Sequence, residues 1–103
     1  MLKVMQGGGV ARVTLDRPEI RNAFDDALIG ELSAAIDLMA AEPAVRVLVI
    51  SSTGKSFCAG ADLNWMKRMA GYGRAENLAD ARTLATMLET LHRMGKPTIA
   101  RVH

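Results

Sequence analysis

The apolar pattern of the first fifty residues changes period twice, and this change constrains the fold more than any other feature of the sequence. Val10–Leu15 alternates apolar and polar residues, as a half-buried strand does. After Asp25, a suitable N-cap, apolar residues recur at spacings of three and four, which is typical of an amphipathic helix. Val45–Ile50 is then an almost continuous apolar run, which suits a strand covered on both faces. Strand, helix and strand in this order predict a right-handed crossover between parallel strands, and therefore an α/β fold.

Further strands and helices are expected on both sides of this unit. Leu2–Met5 should pair with the first strand through Gly7–Gly9, because glycine supplies the positive φ angles that a tight hairpin requires. A short helix is expected over Leu63–Met69, and Thr98–Val102 is predicted to be a final strand. Between them the sequence predicts a long amphipathic helix, whose apolar face comprises Leu78, Ala81, Leu84, Ala85, Leu88 and Leu91.

The composition excludes several classes of function. With 103 residues, 50% of them hydrophobic and 23% charged, residues 1–103 should form a single globular domain. The net charge of +2 is small and scattered, which argues against nucleic-acid binding. The single cysteine, Cys58, excludes an intrachain disulfide and fits a reducing cytoplasm. No metal site is expected, because one cysteine offers no zinc-ligand spacing. No apolar stretch is long enough to span a membrane, and Met1–Met5 is too short for a signal peptide.

Two short motifs suggest chemistry that their surroundings do not support. Gly54-Lys55-Ser56 matches the end of a phosphate-binding P-loop, but Val49 occupies the place of the first glycine inside the strand. The segment around Cys58 resembles a nucleophile elbow, yet its base would have to be His92 or His103, and neither is evidently placed. A solvated turn and a small buried cysteine are the favoured interpretations.

The segment from Cys58 to Leu63 has a second interpretation as a backbone device. Its small residues, Ala59, Gly60 and Ala61, would let a ligand approach the main chain, and N–H groups at a helix start point outward unpaired. Such a site stabilises negative charge on an oxygen, whereas the alternative is a tight turn without a ligand. Asp62 is expected to cap the following helix rather than to act in catalysis.

Four segments together resemble the enoyl-CoA hydratase/isomerase (crotonase) family, in order and at appropriate spacings. They are Asp16–Phe24, Val47–Ile50 with Gly54, Phe57–Leu63 and Lys96–Ala100. Within the family, Asn64–Met69 looks most like the methylglutaconyl-CoA and related glutaconyl-CoA hydratases of leucine and isoprenoid breakdown. The resemblance implies a crotonase-like (ClpP/crotonase) superhelix of ββα units, usually assembled as trimers or hexamers.

The resemblance also implies a substrate and the residues that bind it. The substrate is an acyl-CoA, so coenzyme A enters as part of the substrate and no cofactor is bound permanently. The N–H of Ala61 corresponds to the first donor of the oxyanion hole, which stabilises the enolate formed when water adds to an α,β-unsaturated thioester. The backbone near the coenzyme would comprise Ala23, Ala59, Gly60, Ala61, Asp62, Leu63 and Asn64, with Arg21, Lys55 and Lys67 as candidate phosphate partners.

The length departs from the family pattern. The second oxyanion donor and the acid/base glutamates of the family would follow His103, and neither Glu76 nor Glu89 falls at a matching position. The sequence is therefore expected to form only the N-terminal part of a crotonase-like domain and to be a poor catalyst alone. The alternatives are a non-catalytic acyl-CoA-binding or subunit-interaction fragment and, ranked last, a thiol hydrolase built on Cys58. A terminal apolar strand without neighbours also predicts self-association.

Overall fold

The computed structural model describes all 103 residues, Met1–His103, and centres on a four-stranded sheet. The strands lie in chain order, the first pair being antiparallel and the other pairs parallel. They are β1 (Leu2–Gly7), β2 (Val10–Leu15), β3 (Val47–Ser52) and β4 (Thr98–Ala100). The helices are α1 (Asp26–Ala41), α2 (Leu63–Ala70) and α3 (Arg74–Arg93). The α/β architecture predicted from the sequence is confirmed.

The β1–β2 hairpin closes through two glycines. Gly8 and Gly9 have φ angles of +60° and +82°, and the register pairs Gly7 with Val10. Positive φ at both central residues is the requirement of the two-residue turns that match strand twist. The predicted hairpin is therefore confirmed, with the turn two residues long.

Helix α1 forms the crossover between β2 and β3, and both of its ends are fixed by side chains. Asp25 accepts a hydrogen bond from the N–H of Leu28 at 2.8 Å, which confirms it as the N-cap. At the other end the Lys96 ammonium donates to the carbonyl oxygens of Met39 and Glu42, at 2.8 and 2.7 Å. A cation is favourable at a helix C-terminus because it satisfies the last carbonyl groups.

The core lies between α1 and one face of the sheet, which corrects one expectation. β3 begins two residues later than predicted, and its residues alternate between buried and half-buried positions. Leu48 and Ile50 face the helix, whereas Val47 and Val49 lie on the face that no helix covers. The prediction of a strand buried on both faces was therefore wrong.

Helix α3 packs on α1 through a narrower face than the sequence predicts. Met87 is its one buried residue, flanked by the partly buried Leu84 and Leu91. Leu78 and Leu88, which the periodicity placed on the buried face, are 45% and 51% exposed. Leu84, Met87 and Leu91 are spaced by three and then four residues, so they form one narrow stripe, and Leu78 and Leu88 lie outside it.

Strand β4 is shorter than the predicted Thr98–Val102 and all three of its residues are exposed. The N–H of Arg101 still donates to the carbonyl of Ile50 at 2.8 Å, which extends the contact with β3 by one residue. Ile99 and Val102 are 52% and 66% exposed, so this side of the sheet presents apolar surface.

None of the three helices combines the length and the apolar character that crossing a bilayer requires.

Candidate functional site

The candidate site is a cavity of about 580 Å³ beside the loops that follow β2 and β3. We call residues 16–24 and 53–62 the site loops. Because β2 and β3 are parallel, their carboxyl ends meet at one edge of the sheet, and the two loops lie side by side there. Residues from both loops and from the start of α2 line the cavity. A concave site at this edge is where α/β sheets commonly bind ligands.

Ala61 lies at the centre of the contact between the two loops. The N–H of Phe24 donates to the carbonyl of Gly60, and the N–H of Asp62 donates to the carbonyl of Phe24, both at 2.7 Å. This is the pattern of a parallel bridge between Phe24 and Ala61. In such a bridge the N–H and C=O of Ala61 itself point away from Phe24.

The N–H of Ala61 donates no hydrogen bond within the protein, and Ala61 lines the cavity. Ala61 is exposed, and an exposed backbone N–H that no protein atom accepts is free to bond to water or to a ligand. The geometry therefore leaves a fixed donor available to an oxygen atom in the cavity.

The first turn of α2 contributes further unpaired donors beside Ala61. The Asp62 carboxylate caps the helix by accepting from the N–H of Trp65 at 3.0 Å, as the sequence predicts. The N–H groups of Leu63 and Asn64 donate to no protein atom, and both residues line the cavity. Negative charge is favourable at the start of a helix, because the free N–H groups and the positive end of the helix dipole face a ligand bound there.

Six of the seven residues predicted to contact the coenzyme line the cavity. They are Ala23, Ala59, Ala61, Asp62, Leu63 and Asn64. The seventh, Gly60, is not part of the lining; its φ angle of +97° makes the turn, and its carbonyl holds Phe24. Glycine suits this position because other residues rarely adopt such a conformation.

The charged residues separate into those at the cavity and those elsewhere. Arg21 and Lys67 line it, together with Glu19, whereas Lys55 does not. Glu76 accepts from the N–H of Gly73 at the start of α3, and Glu89 pairs with Arg93 at 2.9 Å, so both lie outside the cavity. The cavity therefore carries two cations and offers Glu19 and Asp62 as its only carboxylates.

Cys58 is not equipped as a nucleophile. It is partly exposed rather than buried as predicted, and its Sγ accepts from the N–H of Gly60 at 3.4 Å. Neither histidine is bonded to it: His103 contacts the carbonyl of Gly54 at 2.8 Å, and His92 lies on α3. The cysteine belongs to the turn and has no base.

Asn22 is the residue of the site loops that sequence analysis missed. It is completely buried, with a φ angle of +55°, and its amide donates to the carbonyls of Thr53 and Ser56 at 2.7 and 3.0 Å. Its side-chain oxygen accepts from the N–H of Arg17 at 2.7 Å. The available signal was an asparagine following a proline-initiated turn, since asparagine tolerates left-handed backbone and hydrogen-bonds to nearby main chain.

Two carboxylates, those of Asp16 and Asp25, also bond to residues of the site loops. Asp16 accepts from the Thr53 hydroxyl at 2.9 Å, and this hydrogen bond is the main reason that its pKa is lowered. At Asp25, burial acts to raise the pKa. The hydrogen bond from Leu28 and the ion pair with Arg17 at 2.8 Å together lower the pKa by more than burial raises it. The net result is a pKa below the ordinary value, so both carboxylates are charged at neutral pH.

A family model and individual relatives of known family both match nearly the whole of this chain. Residues 5–103 match the family model described as enoyl-CoA hydratase/isomerase. A Thermus thermophilus protein assigned as an enoyl-CoA hydratase is 35% identical over 99 residues, which cover 96% of this chain and 39% of that protein. A trans-2-decenoyl-[acyl-carrier-protein] isomerase of Streptococcus mutans is 34% identical over 92 residues, covering 88% of this chain and 35% of the isomerase.

A solved structure agrees with the fold as well as with the sequence. The crystal structure of an enoyl-CoA hydratase from Shewanella pealeana superposes with a TM-score of 0.97 at 39% identity. The match covers 99% of this chain and 38% of the hydratase. The chain thus spans well under half the length of the relatives that it matches.

Proposed function

The chain belongs to the enoyl-CoA hydratase/isomerase family, and on that premise we propose that the cavity beside Ala61 binds the thioester of an α,β-unsaturated acyl-CoA. The fold is the crotonase-like α/β fold expected from the sequence, over the part that the chain covers. Methylglutaconyl-CoA is the acyl-CoA that we propose as the favoured substrate, on the resemblance of Asn64–Met69.

The observation that carries the proposal is the unpaired N–H of Ala61 in the cavity wall. Addition of water to an enoyl thioester joins the water oxygen to Cβ and a proton to Cα, and negative charge develops on the thioester oxygen in between. A donor that is fixed beforehand stabilises that charge without reorganisation, and one such donor is worth about 3 to 4 kcal/mol in the barrier. The bridge to Phe24 supplies the fixation.

Two cationic side chains at the cavity support the acyl-CoA assignment. Arg21 and Lys67 both line it, and coenzyme A carries phosphate groups that pair with such cations. The earlier candidate Lys55 lies outside the lining and is the weakest of the three. We propose Arg21 and Lys67 as the phosphate partners.

Proton transfer is the step that the cavity is least equipped to perform. Of its two carboxylates, Asp62 is committed to capping α2, which leaves Glu19 without a second carboxylate to act as its acid or base partner. We therefore propose that the chain by itself binds and polarises the thioester but hydrates it slowly. An acyl-CoA-binding role without turnover is the second candidate, and the same lining favours it.

The test replaces the amide N–H of Ala61 with an ester oxygen. Cys58 lies three residues before Ala61 and provides a native ligation site, so the 103-residue chain can be assembled with an ester in place of the amide N–H of Ala61. The matched control is the same ester at Ala75, whose N–H also donates no hydrogen bond but lies in the first turn of α3, outside the cavity. Calorimetric titration with crotonyl-CoA and methylglutaconyl-CoA then measures the affinity of each protein.

We expect the Ala61 ester to bind each acyl-CoA about tenfold more weakly than the unmodified chain, since one hydrogen bond is worth about 1 to 1.5 kcal/mol. The Ala75 ester should bind normally. Equal affinity of both esters would contradict the assignment of Ala61, and no binding by the unmodified chain would contradict the acyl-CoA site altogether.

We further propose that the chain self-associates, as the family's trimers and hexamers suggest. The exposed β4, with the apolar Ile99 in the strand and Val102 after it, supports this, because unpaired strand edges and apolar surface favour association. Sedimentation should show a mass above that of the 11.1 kDa chain at micromolar concentration. A stable monomer across the concentration range would contradict the proposal.

A further inference from the structure

We infer that Asn22 is a positioning residue for the Ala61 donor, an inference that rests on the proposed function of that donor. The first observation is the complete burial of Asn22 together with its three hydrogen bonds. A buried amide is costly unless it is paired, so each of these bonds constrains where Asn22 and its partners lie.

The side chain of Asn22 fixes the start of the second site loop. Its Nδ2 donates to Thr53 O at 2.7 Å and to Ser56 O at 3.0 Å, five to eight residues before Ala61. Its Oδ1 and its own N–H both bond to the backbone of Arg17, at 2.7 and 2.9 Å, which fixes Asn22 within the first site loop. The amide thus joins the two loops through main-chain atoms.

The main chain beside Asn22 fixes the end of the same loop. The carbonyl of Arg21 accepts from the N–H of Ala59 at 3.1 Å, and Phe24 makes both bridge bonds around Ala61. Residues 53–62 are therefore held at both ends by residues 21–24. Asn22 sits at the middle of that contact, with a φ of +55° that turns its backbone between the two sets of bonds.

Loss of the Asn22 side-chain amide affects the Ala61 N–H in particular. A loop of small residues such as Ala59–Ala61 has few side-chain contacts of its own, so its position depends on these bonds. Without the Asn22 amide the bridge at Phe24 loses its support, and the Ala61 N–H samples orientations that do not meet the thioester oxygen. A donor misplaced in this way is a weaker one.

The test uses Asn22→Gly, which keeps the left-handed backbone and removes all three side-chain bonds. The matched control is Ile36→Ala, which removes a buried side chain from α1, outside the site loops. Each 103-residue variant is saturated with crotonyl-CoA carrying ¹³C at the thioester carbonyl, at a temperature where circular dichroism shows it folded. The infrared stretch of the bound carbonyl is then compared with that of the free ligand.

Hydrogen exchange at Phe24 and Asp62 is measured on the same proteins without ligand. In the unmodified chain we expect the bound carbonyl to shift to lower frequency and both amides to be protected. In Asn22→Gly the shift should fall by about half or more, and exchange at the two amides should accelerate about tenfold beyond any change in Ile36→Ala. Ile36→Ala should retain the full carbonyl shift.

The outcomes separate the two proposals. A full shift and unchanged exchange in Asn22→Gly would overturn the positioning role and leave the acyl-CoA site intact. Faster exchange with an undiminished shift would also overturn it, because the loops would be loosened without moving the donor. No shift in the unmodified chain would overturn the proposed function, and the positioning role with it.

Discussion

The site loops and helix α3 are held in place in opposite ways. The site loops contain little regular structure, yet Asn22 is completely buried there and hydrogen bonds join the two loops at 53, 56, 59 and 60–62. Helix α3 has twenty residues of regular structure and a single buried side chain, Met87. Hydrogen bonds across the chain hold the site loops, which carry the candidate donor, whereas α3 buries one side chain against the rest of the protein.

The largest effect should come from adding one methyl group to the site loops. Gly54 has a φ of +78°, and a Cβ there would lie 2.7 Å from the Cβ of Pro18. Gly54→Ala should destabilise the protein by about 3 kcal/mol, because the strained backbone and the clash add. Urea unfolding measures it. Gly95→Ala, with nothing within 4 Å and no positive φ, is the control and should change stability little.

The next effect tests how much α3 depends on its one buried side chain. Met87 is 3% exposed and its neighbour Leu88 is 51% exposed. Met87→Ala should cost about 2 kcal/mol through the cavity it leaves, whereas Leu88→Ala should cost about 0.5 kcal/mol or less. Thermal unfolding of both variants gives the difference. Equal losses would show that α3 is covered on a broader face than the structure indicates.

A smaller effect concerns the charge at the start of α1. Because the folded pKa of Asp25 is lowered, the stability it contributes is present above the unfolded pKa of about 3.8 and is lost as the pH falls through the folded pKa. Asp25→Asn keeps a capping residue and weakens the pairing with Arg17. It should be about 1 kcal/mol less stable at pH 7 and should approach the unmodified chain below the folded pKa.

Unfolding curves between pH 7 and pH 2 provide this measurement. Asp37→Asn is a suitable control because Asp37 is exposed and makes no ion pair. A difference between Asp25→Asn and the unmodified chain that does not vary with pH would contradict the role of the charge.

The smallest effect lies between α1 and α3. The hydroxyl of Ser33 is buried there without a hydrogen-bond partner, beside a cavity of about 300 Å³ that it lines together with Thr83 and Thr86. Ser33→Ala removes an unpaired polar group and gains helix propensity, so it should stabilise the protein by about 0.5 kcal/mol. A loss of stability on calorimetric unfolding would mean that the hydroxyl has a partner in solution.

Local sequence rules predicted the parts that depend on neighbouring residues. The glycine hairpin, the caps at Asp25 and Asp62 and the turn at Ala61 each follow from the chemistry of a few adjacent positions. The family resemblance and the chemistry of that turn both predict a backbone site for negative charge there, and this role stays a prediction.

The parts that were missed depend on distant partners. Asn22 is important because Thr53 and Ser56 lie beside it, and no local pattern indicates a contact across more than thirty residues. The exposure of Leu78 and Leu88 depends on how wide a surface α1 offers to α3. Periodicity identifies a helix and an apolar stripe, but the packing partner decides which side of that stripe is buried.

The most direct test of the central claim follows the amide of Ala61 during ligand binding. In ¹H–¹⁵N spectra of the chain titrated with crotonyl-CoA, the Ala61 amide proton should move downfield as the thioester oxygen accepts its hydrogen bond. The Ala75 amide, unpaired but remote from the cavity, should stay in place. An Ala61 signal that does not move while the ligand binds elsewhere would contradict the account.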